Sequence, residues 1–414
     1  MLLKNKDIIV VGLQAWDTEI GSNCKNIAIE FAKHNRVLYV NYPLDRKTIS
    51  QEKGNPLYKE RLDVIRDKKE NIVRVEENIW VLNPAIVLES INWIPSTRLF
   101  RYLNKINNQR FASDIKKAIV KLQFTDFILF NDSDMFRSFY LKELLKPACS
   151  IYYTRDNLMG VPYWYKHGHK IEPELFAKSD IVVANSTYLA DVAEKHNKNS
   201  FYVGQGCEVD DFDINKIDRV PEDIAPVNSP IIGYIGALYK LRLDIELLEN
   251  LALAKRDWNF VFIGPEDEAF KSSKLHQLQN VVFLGLKDTK ALPAYLAKFD
   301  VAINPQKVNE VTIGNYPRKI DEYLAMGKPV VATETAAMRI FSDYVYFGSN
   351  ADEYAVQIEK ALKEEAEDKR QKRIAFARSH TWENSVAEIY KAIYKVKPEL
   401  FQSLSATDKT LAFL

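Results

Sequence analysis

Apolar residues along the chain gather in short unbroken runs separated by stretches of helical spacing. Residues 7–12 (DIIVVG) form a β-branched run that ends in glycine. Behind it Cys24, Ile27, Ala28, Phe31 and Ala32 recur at i, i+3, i+4, i+7 and i+8, the stripe of an amphipathic helix. A second strand follows at 37–41 (VLYVN), and the alternation returns at 127–131 (FILFN), 150–154 (SIYYT) and 181–185 (IVVAN). Strands apolar on both faces and alternating with helices predict a parallel, doubly wound α/β sheet. A second series begins after the polar, proline-bearing stretch 215–230, which reads as an interdomain linker. Its strands are 231–236 (IIGYIG), 260–264 (FVFIG), 281–285 (VVFLG), 301–305 (VAINP) and 329–333 (PVVAT). Four of them run out into Gly or Asn-Pro at the carboxyl end, the edge where open α/β sheets bind ligands. A last helix over about 382–395 starts behind Thr381 as N-cap and sets Val386, Ile389, Tyr390 and Ile393 on one face. The final stretch, 398–414, carries no usable pattern, and no repeat of fixed period relates the two halves.

At 414 residues the chain is long enough for two domains. With 47% hydrophobic and 27% charged residues it is expected to fold throughout. Lys plus Arg (57) nearly cancels Asp plus Glu (56), so no global charge steers the protein toward nucleic acid. Cys24, Cys149 and Cys207 lie far apart without CxxC spacing, a pattern for neither a disulfide framework nor a zinc site, and it fits a reducing cytosol. The opening MLLKNKDIIVVGL reads as a first buried strand rather than a signal peptide, and no run approaches 18 uncharged apolar residues. A cytoplasmic protein is expected.

The stretch 315–333 (NYPRKIDEYLAMGKPVVAT) is the most informative. Pro317 suits a first helical turn and Gly327 the position just past a last one, which predicts a short helix between a turn and a buried strand. Its N-terminus offers backbone N–H groups and partial positive charge to a phosphate. Lys319 and Glu322, at i and i+3, share one side, while Ile320 and Leu324 face the core. Two readings of Glu322 stand at this point. It accepts hydrogen bonds from two vicinal ribose hydroxyls, or it pairs with Lys319 on an exposed face.

The pattern N-x-P-x-K-x-x-E-Y-L-A-x-G-K-P-V-V, Asn315 to Val331, resembles the donor-binding signature of the large retaining GT-B glycosyltransferase family (glycosyl transferases group 1, family 4-like). Segments 176–212, 231–238, 280–305 and 379–393 are similar to that family's domain crossover, C-domain strands and closing helix; residues 40–125 match it in rhythm only. The resemblance implies two Rossmann-like domains facing a central cleft, with the C-terminal helix crossing back to the N-domain. Residues 1–215 with helix 382–396 would form the acceptor-side domain, and 228–380 the donor domain. It further implies a metal-independent, retaining hexosyltransferase that takes a sugar from a UDP- or GDP-linked donor. No cofactor is expected beyond that substrate. The acceptor would be a glycan or lipid-linked glycan in cell-surface polysaccharide synthesis. Glu322 corresponds to the second Glu of the family's Glu-x7-Glu motif, the ribose ligand. The first would fall at 314, where this chain has Gly314, leaving Gly314, Asn315 and Tyr316 to meet the donor through backbone N–H groups. Lys240 and Arg242 match the family's cations behind the first C-domain strand and would meet the charge of the departing diphosphate with Lys319. Gly236 and Gly264 would let backbone approach the donor, and Gly285 and Leu286 would meet the base.

On the acceptor side Arg155, Asp156 and Asn157 stand at a strand's carboxyl end. Asp156 is read as general base, as ligand to the acceptor hydroxyl, or as a turn cap. Trp16, between Gly12 and Gly21, would stack on a sugar or pack against protein. Asp132-Ser133-Asp134 spells the DxD of metal-dependent glycosyltransferases, but here it reads as an acceptor-side loop without metal. His167 and His169 lack a completing ligand, and with Tyr163, Trp164 and Tyr165 suggest a mobile amphipathic loop in which they read as a satisfied or solvated pair, or as a contact to the acceptor. Residues 91–122 hold Arg98, Arg101, Lys105, Arg110, Lys116, Lys117 and Lys121 against one acid, Asp114, interleaved with aromatics. That composition fits either a solvated face or peripheral contact with an anionic membrane at its inner face. A nucleotide-sugar epimerase or phosphorylase of the same fold, and a donor-binding inactive partner subunit, are the competing readings.

Overall fold

A computed structural model describes residues 2–18, 22–51 and 55–401. Gly21 and residues 402–414 of the final stretch lie outside the described residues. The chain folds into two units, each with its own sheet and core. The first comprises Met1–Asn185, Leu189–Gly204 and Ser385–Leu414, the second Ser186–Tyr188 and Gln205–Asn384.

The first unit is built on an eight-stranded sheet: β1 (Asp7–Gly12), β2 (Arg36–Val40), β3 (Ile72–Glu76), β4 (Ile79–Leu82), β5 (Ile128–Asp132), β6 (Cys149–Thr154), β7 (Ile181–Ala184) and β8 (Ser200–Tyr202). Their order is β8-β7-β6-β5-β1-β2-β4-β3, parallel except for the β3–β4 pair. Every residue of β1, β5 and β6 is buried, which is why those runs read as continuous rather than alternating. Helix α1 (Asn23–Ala32) starts at Ser22, whose hydroxyl accepts from Lys25 N, and buries the predicted stripe. Helix α2 (Thr97–Leu122) is capped by Ser96 and buries Phe100, Phe111 and Ile115. Its Asp114 is fully enclosed and accepts from Ala85 N at 2.7 Å.

Tyr163, Trp164 and Tyr165 do not form a loop. They open helix α3 (Pro162–Lys178), in which Pro162 takes the first position, where its missing N–H leaves nothing unpaired. His167 is buried there, stacked on Phe100 at 4.1 Å and bonded to Thr97 Oγ1; His169 is exposed and bonds the Tyr165 carbonyl. These histidines therefore stand apart, one in the core and one in solvent.

The second unit carries a six-stranded parallel sheet: β9 (Ile231–Ile235), β10 (Asn259–Ile263), β11 (Val281–Gly285), β12 (Val301–Asn304), β13 (Val330–Ala332) and β14 (Tyr346–Phe347). The order β11-β10-β9-β12-β13-β14 reverses between β9 and β12. Around it lie α4 (Arg318–Ala325), α5 (Ala351–Lys363) and α6 (Glu367–Arg378). The stretch 215–230 is not a linker but part of this unit. Ile224 is wholly buried in its core, and Asp223 accepts from Tyr295 at 2.9 Å. Its prolines and charges imitate a linker because its anchors, Ile217, Asp223, Ile224 and Val227, are scattered among them without helical or strand spacing.

The last helix, α7 (Trp382–Val396), belongs to the first unit from Ser385 onward. Its predicted face, Val386, Ile389, Tyr390 and Ile393, is buried; Tyr390 stacks on Phe31 at 5.8 Å and its hydroxyl accepts from Asn35. No helix among the described residues is long and apolar enough to cross a membrane.

Candidate functional site

The second unit reverses its strand order between β9 and β12, and a crevice for a ligand opens where connections leave such a point in opposite directions. Gly236 ends β9 and Gly264 ends β10, with φ of +142° and +144°, a region that only glycine enters readily. Gly236 N donates to Ile263 O at 2.8 Å and Gly264 N to Gly285 O at 2.9 Å, so the strand ends step closely past one another. A Cβ on Gly264 would strike the Gly236 carbonyl, and one on Gly236 would strike Lys319 Nζ. Gly264 thus lets the ends of β9 and β10 pass closely, and the positive φ at Gly236 is what calls for glycine there.

Helix α4 follows β12 across the reversal. Pro317 is its N-cap rather than a residue of the first turn. Gly327, at φ +72°, ends it: Gly327 N bonds Leu324 O and Lys328 N bonds Tyr323 O, closing the last turn. The Gly327 carbonyl accepts from Arg373 of α6 at 3.0 and 2.7 Å. Tyr323, fully buried, fastens the helix to β9: its hydroxyl accepts from Ile235 N at 2.9 Å and donates to Ile235 O.

The ligand-side residues of α4 do not neutralise one another. Lys319 Nζ donates to the Tyr234 hydroxyl at 2.5 Å and lies 4.1 Å over that ring, so it is not paired with Glu322. Glu322 is half-buried, and its carboxylate accepts no hydrogen bond from a described residue. Burial pushes its pKa up, against the pull of Arg318 and Lys319. Four buried polar atoms without a partner among the described residues fall on this same carboxyl edge: Asn304 Nδ2, Gln306 Oε1, Arg318 Nε and Thr335 Oγ1. Native interiors rarely leave such groups unpaired, and these four stand together on one edge, while others, such as Asp132 Oδ2 and Arg61 Nε, lie in the first unit.

The other predicted donor residues are placed unevenly. Lys240 and Arg242 are exposed on the loop after β9; Lys240 N donates to Asp267 Oδ2 at 2.8 Å. Gly285, at φ +68°, ends β11, and Leu286 beyond it is 77% exposed. The Gly314 carbonyl accepts from Ser186 Oγ at 2.7 Å, and Asn315 N donates to Thr312 O at 3.3 Å, so the Asn315 amide is already engaged within the turn. The Tyr316 side chain turns away from this edge into the core, where its hydroxyl donates to Asp321 at 2.8 Å.

In the first unit the reversal falls between β1 and β5, and there the acids are paired with arginines, though Asp132 Oδ2 has no hydrogen-bond partner among the described residues. Asp132 is wholly buried and paired with Arg155 Nε at 2.9 Å; Arg155 Nη1 also holds Asp156 at 3.1 Å. Burial raises the Asp132 pKa against the pull of Arg155. Asp134 is paired with Arg137 at 2.9 Å. The two acids of the DxD thus each grip their own arginine. Asn157 is half-buried at the turn beyond Asp156, and Trp16 packs edge-on against Tyr39 at 5.2 Å with Lys25 over its face. A cavity of about 680 Å³ in this unit is lined by Tyr42, Trp93, Asp134, Arg137, Tyr163 and Lys166 with their neighbours.

Sequence reasoning missed Arg318, Tyr234, and the buried contacts of Asp321 with His380. Arg318 was open to view, one residue before Lys319 in the same first turn. The Tyr234 contact spans 85 residues and left no local mark.

Comparison with known proteins follows the same lines. The structure is similar over nearly its whole length to solved GT-B glycosyltransferases. Sucrose-phosphate synthase from Thermosynechococcus elongatus aligns with a TM-score of 0.60 at 14% identity, covering 96% of this chain and 100% of that one. Anabaena HepE, solved in complex with UDP, aligns at 0.62 and 13%, covering 94% and 100%. Trehalose 6-phosphate synthase from Burkholderia multivorans aligns at 0.64 and 10%, covering 96% and 100%. The fold is GT-B. Residues 229–364 match the family described as Glycosyl transferases group 1, and the second unit carries that domain. In sequence the chain is 28% identical over 233 residues to TuaH of Bacillus subtilis, described as a teichuronic acid biosynthesis glycosyltransferase. The match covers 53% of this chain and 58% of that protein.

Proposed function

We infer that the protein is a glycosyltransferase that moves a hexose from a nucleotide diphosphate sugar, held by the second unit, to a glycan or lipid-linked glycan. The observation that carries this reading is the carboxyl edge of the second unit: cations and a carboxylate on α4 that do not pair with each other, beside four buried polar atoms without a partner among the described residues. The N-terminus of α4 with Arg318 and Lys319 receives the diphosphate. Glu322 accepts the two ribose hydroxyls, and Gly285 with Leu286 borders the base. As the acceptor oxygen bonds to the anomeric carbon, the bond to the diphosphate breaks and its electron pair leaves with the nucleotide. Lys319, Arg318 and the exposed Lys240 and Arg242 meet that charge, without a metal. The acceptor's proton passes to the departing phosphate or to Asp156. Retention of configuration rests on the family resemblance alone.

The acceptor belongs to the first unit, at its strand ends and the cavity of about 680 Å³. Its mixture of aromatic faces and charged groups suits a saccharide. Solved HepE with UDP favours UDP over GDP, and TuaH supports a role in cell-surface polysaccharide synthesis. In the cytoplasm the enzyme contacts the inner membrane face through residues 91–121. Arg101, Arg110 and Lys121 are paired with acids there, but Trp93, Leu99 and Tyr102 remain exposed beside Arg98 and Lys105. Flotation with anionic vesicles tests that contact; none at low salt would remove it.

Calorimetry with UDP, GDP and their sugars, followed by turnover with acceptor pools, tests the whole. Failure to bind either nucleotide would overturn it. Gly314, in place of the family's first Glu, keeps one second reading: an inactive donor-binding partner subunit, which binds nucleotide and turns over no acceptor. Donor consumed without acceptor would instead identify an epimerase.

A further inference from the structure

On the face of α4 turned from the ligand edge sits a buried polar cluster that the reaction above does not use. Asp321 has no exposed side-chain surface. Its Oδ1 lies 2.6 Å from His380 Nδ1, and its Oδ2 accepts from Tyr316 OH at 2.8 Å and from Cys207 Sγ at 3.1 Å. Tyr316 OH and His380 Nδ1 are themselves 3.1 Å apart. Phe376 packs edge-on against the imidazole at 4.5 Å. Two segments distant in sequence converge on this carboxylate. Cys207 lies just past Gly204, where the chain leaves the first unit, and His380 just before Ser385, where it returns. The two are joined directly, Cys207 N to His380 O at 2.9 Å.

A carboxylate enclosed this completely is a poor way to gain stability, because desolvation offsets much of what its partners return. What it supplies is direction. Asp321 and Glu322 are neighbours on a helix, about 100° apart around the axis. Whatever fixes Asp321 fixes the rotation of α4, and with it the place of Glu322 and Lys319. A turn of about 20° would carry a side-chain tip, some 6 Å from the axis, through about 2 Å. Misplacement on that scale is costly for recognition that depends on hydrogen-bond geometry.

We propose that Asp321, Tyr316 and His380 are positioning residues for the nucleotide: they set the rotation of α4 from behind, so that Glu322 meets the ribose, and they tie that setting to the segments at both unit crossings. The proposal rests on the donor reading given above. It is tested by nucleotide affinity in a double-mutant cycle. His380→Ala is expected to raise the Kd for UDP about tenfold and Tyr316→Phe about threefold, while His380→Asn, which keeps an N–H near the Nδ1 position, recovers most of the loss. In a Glu322→Gln background the same substitutions should add little further, because their effect runs through Glu322. A purely structural role would give losses that add. Should His380→Ala not fold, Tyr316→Phe, which deletes one hydroxyl, carries the cycle. Additive losses, or a Kd within twofold of the parent for both variants, overturn the proposal. If the parent protein binds no nucleotide, the donor reading has failed, and amide exchange decides this one. Faster exchange over 318–325 in the variants, with Ala351–Lys363 unchanged, supports it; unchanged exchange at 318–325 overturns it.

Discussion

The two sheets reverse their strand order at corresponding points, yet the side chains gathered there behave in opposite ways. In the first unit Asp132 Oδ1 holds Arg155 and Asp134 holds Arg137, so each acid at the reversal has its own guanidinium, although Asp132 Oδ2 keeps no hydrogen-bond partner among the described residues. In the second unit Lys319 turns to a tyrosine, and among the described residues Glu322 has no hydrogen-bond donor and Arg318 Nε no partner. A buried pair satisfied by its own fold contributes to one well-defined structure. A buried polar group left unpaired is tolerated where a ligand completes it. The same architecture thus offers one edge whose acids are each matched by an arginine and one whose lysine and glutamate are not matched to each other.

Four experiments would break or sharpen that contrast. The largest effect is expected from Asp132→Ala, which leaves the buried guanidinium of Arg155 with Asp156 alone and should cost about 3 kcal/mol or more of stability. Denaturant unfolding measures it, and nucleotide affinity should stay as it was. Next comes a buried acid elsewhere in the first unit. Glu172 is enclosed, accepts from Tyr152 OH at 2.9 Å, and is pushed by burial from 4.5 to about 7. Because the folded value is raised, its stabilisation is complete below about pH 4.5 and is lost as pH rises through about 7, a change of about 3 kcal/mol. Glu172→Gln should flatten that slope; an unchanged pH profile would show that the group is not protonated inside the fold. Third, Glu322→Gln should weaken nucleotide binding about a hundredfold, or about 2–3 kcal/mol, with the unfolding midpoint little moved. An equal loss from Asp156→Asn would erase the distinction between the units. Smallest, Lys319→Met should cost roughly tenfold, about 1.4 kcal/mol, and make binding less sensitive to salt.

Much of this arrangement was legible in local sequence. The strands announce themselves as apolar runs, α4 is bracketed by Pro317 and Gly327, and the buried face of α7 follows from a spacing of 3.6. What stayed hidden depends on partners remote along the chain. Asp321 meets His380 across 59 residues and Cys207 across 114, and nothing near Asp321 marks it as buried. The stretch 215–230 misleads for the converse reason, since its composition is that of a linker while Ile224 anchors it in a core. The aromatic run 163–165 suggested a loop because rings on successive residues obscure helical periodicity; the proline before them was the better signal.

Arg373 grasps the carbonyl at the tail of α4 with two N–H groups. Isolated helices of eight residues scarcely persist in water, so this one keeps its shape only while its neighbours hold it. Its negative pole is met by a guanidinium, while at the positive pole the one acid of the first turn, Asp321, is held in the core by Tyr316 and His380. An arriving anion would therefore find a short dipole already stiffened and balanced at its far end, and would need to spend little of its own attraction on organising the host.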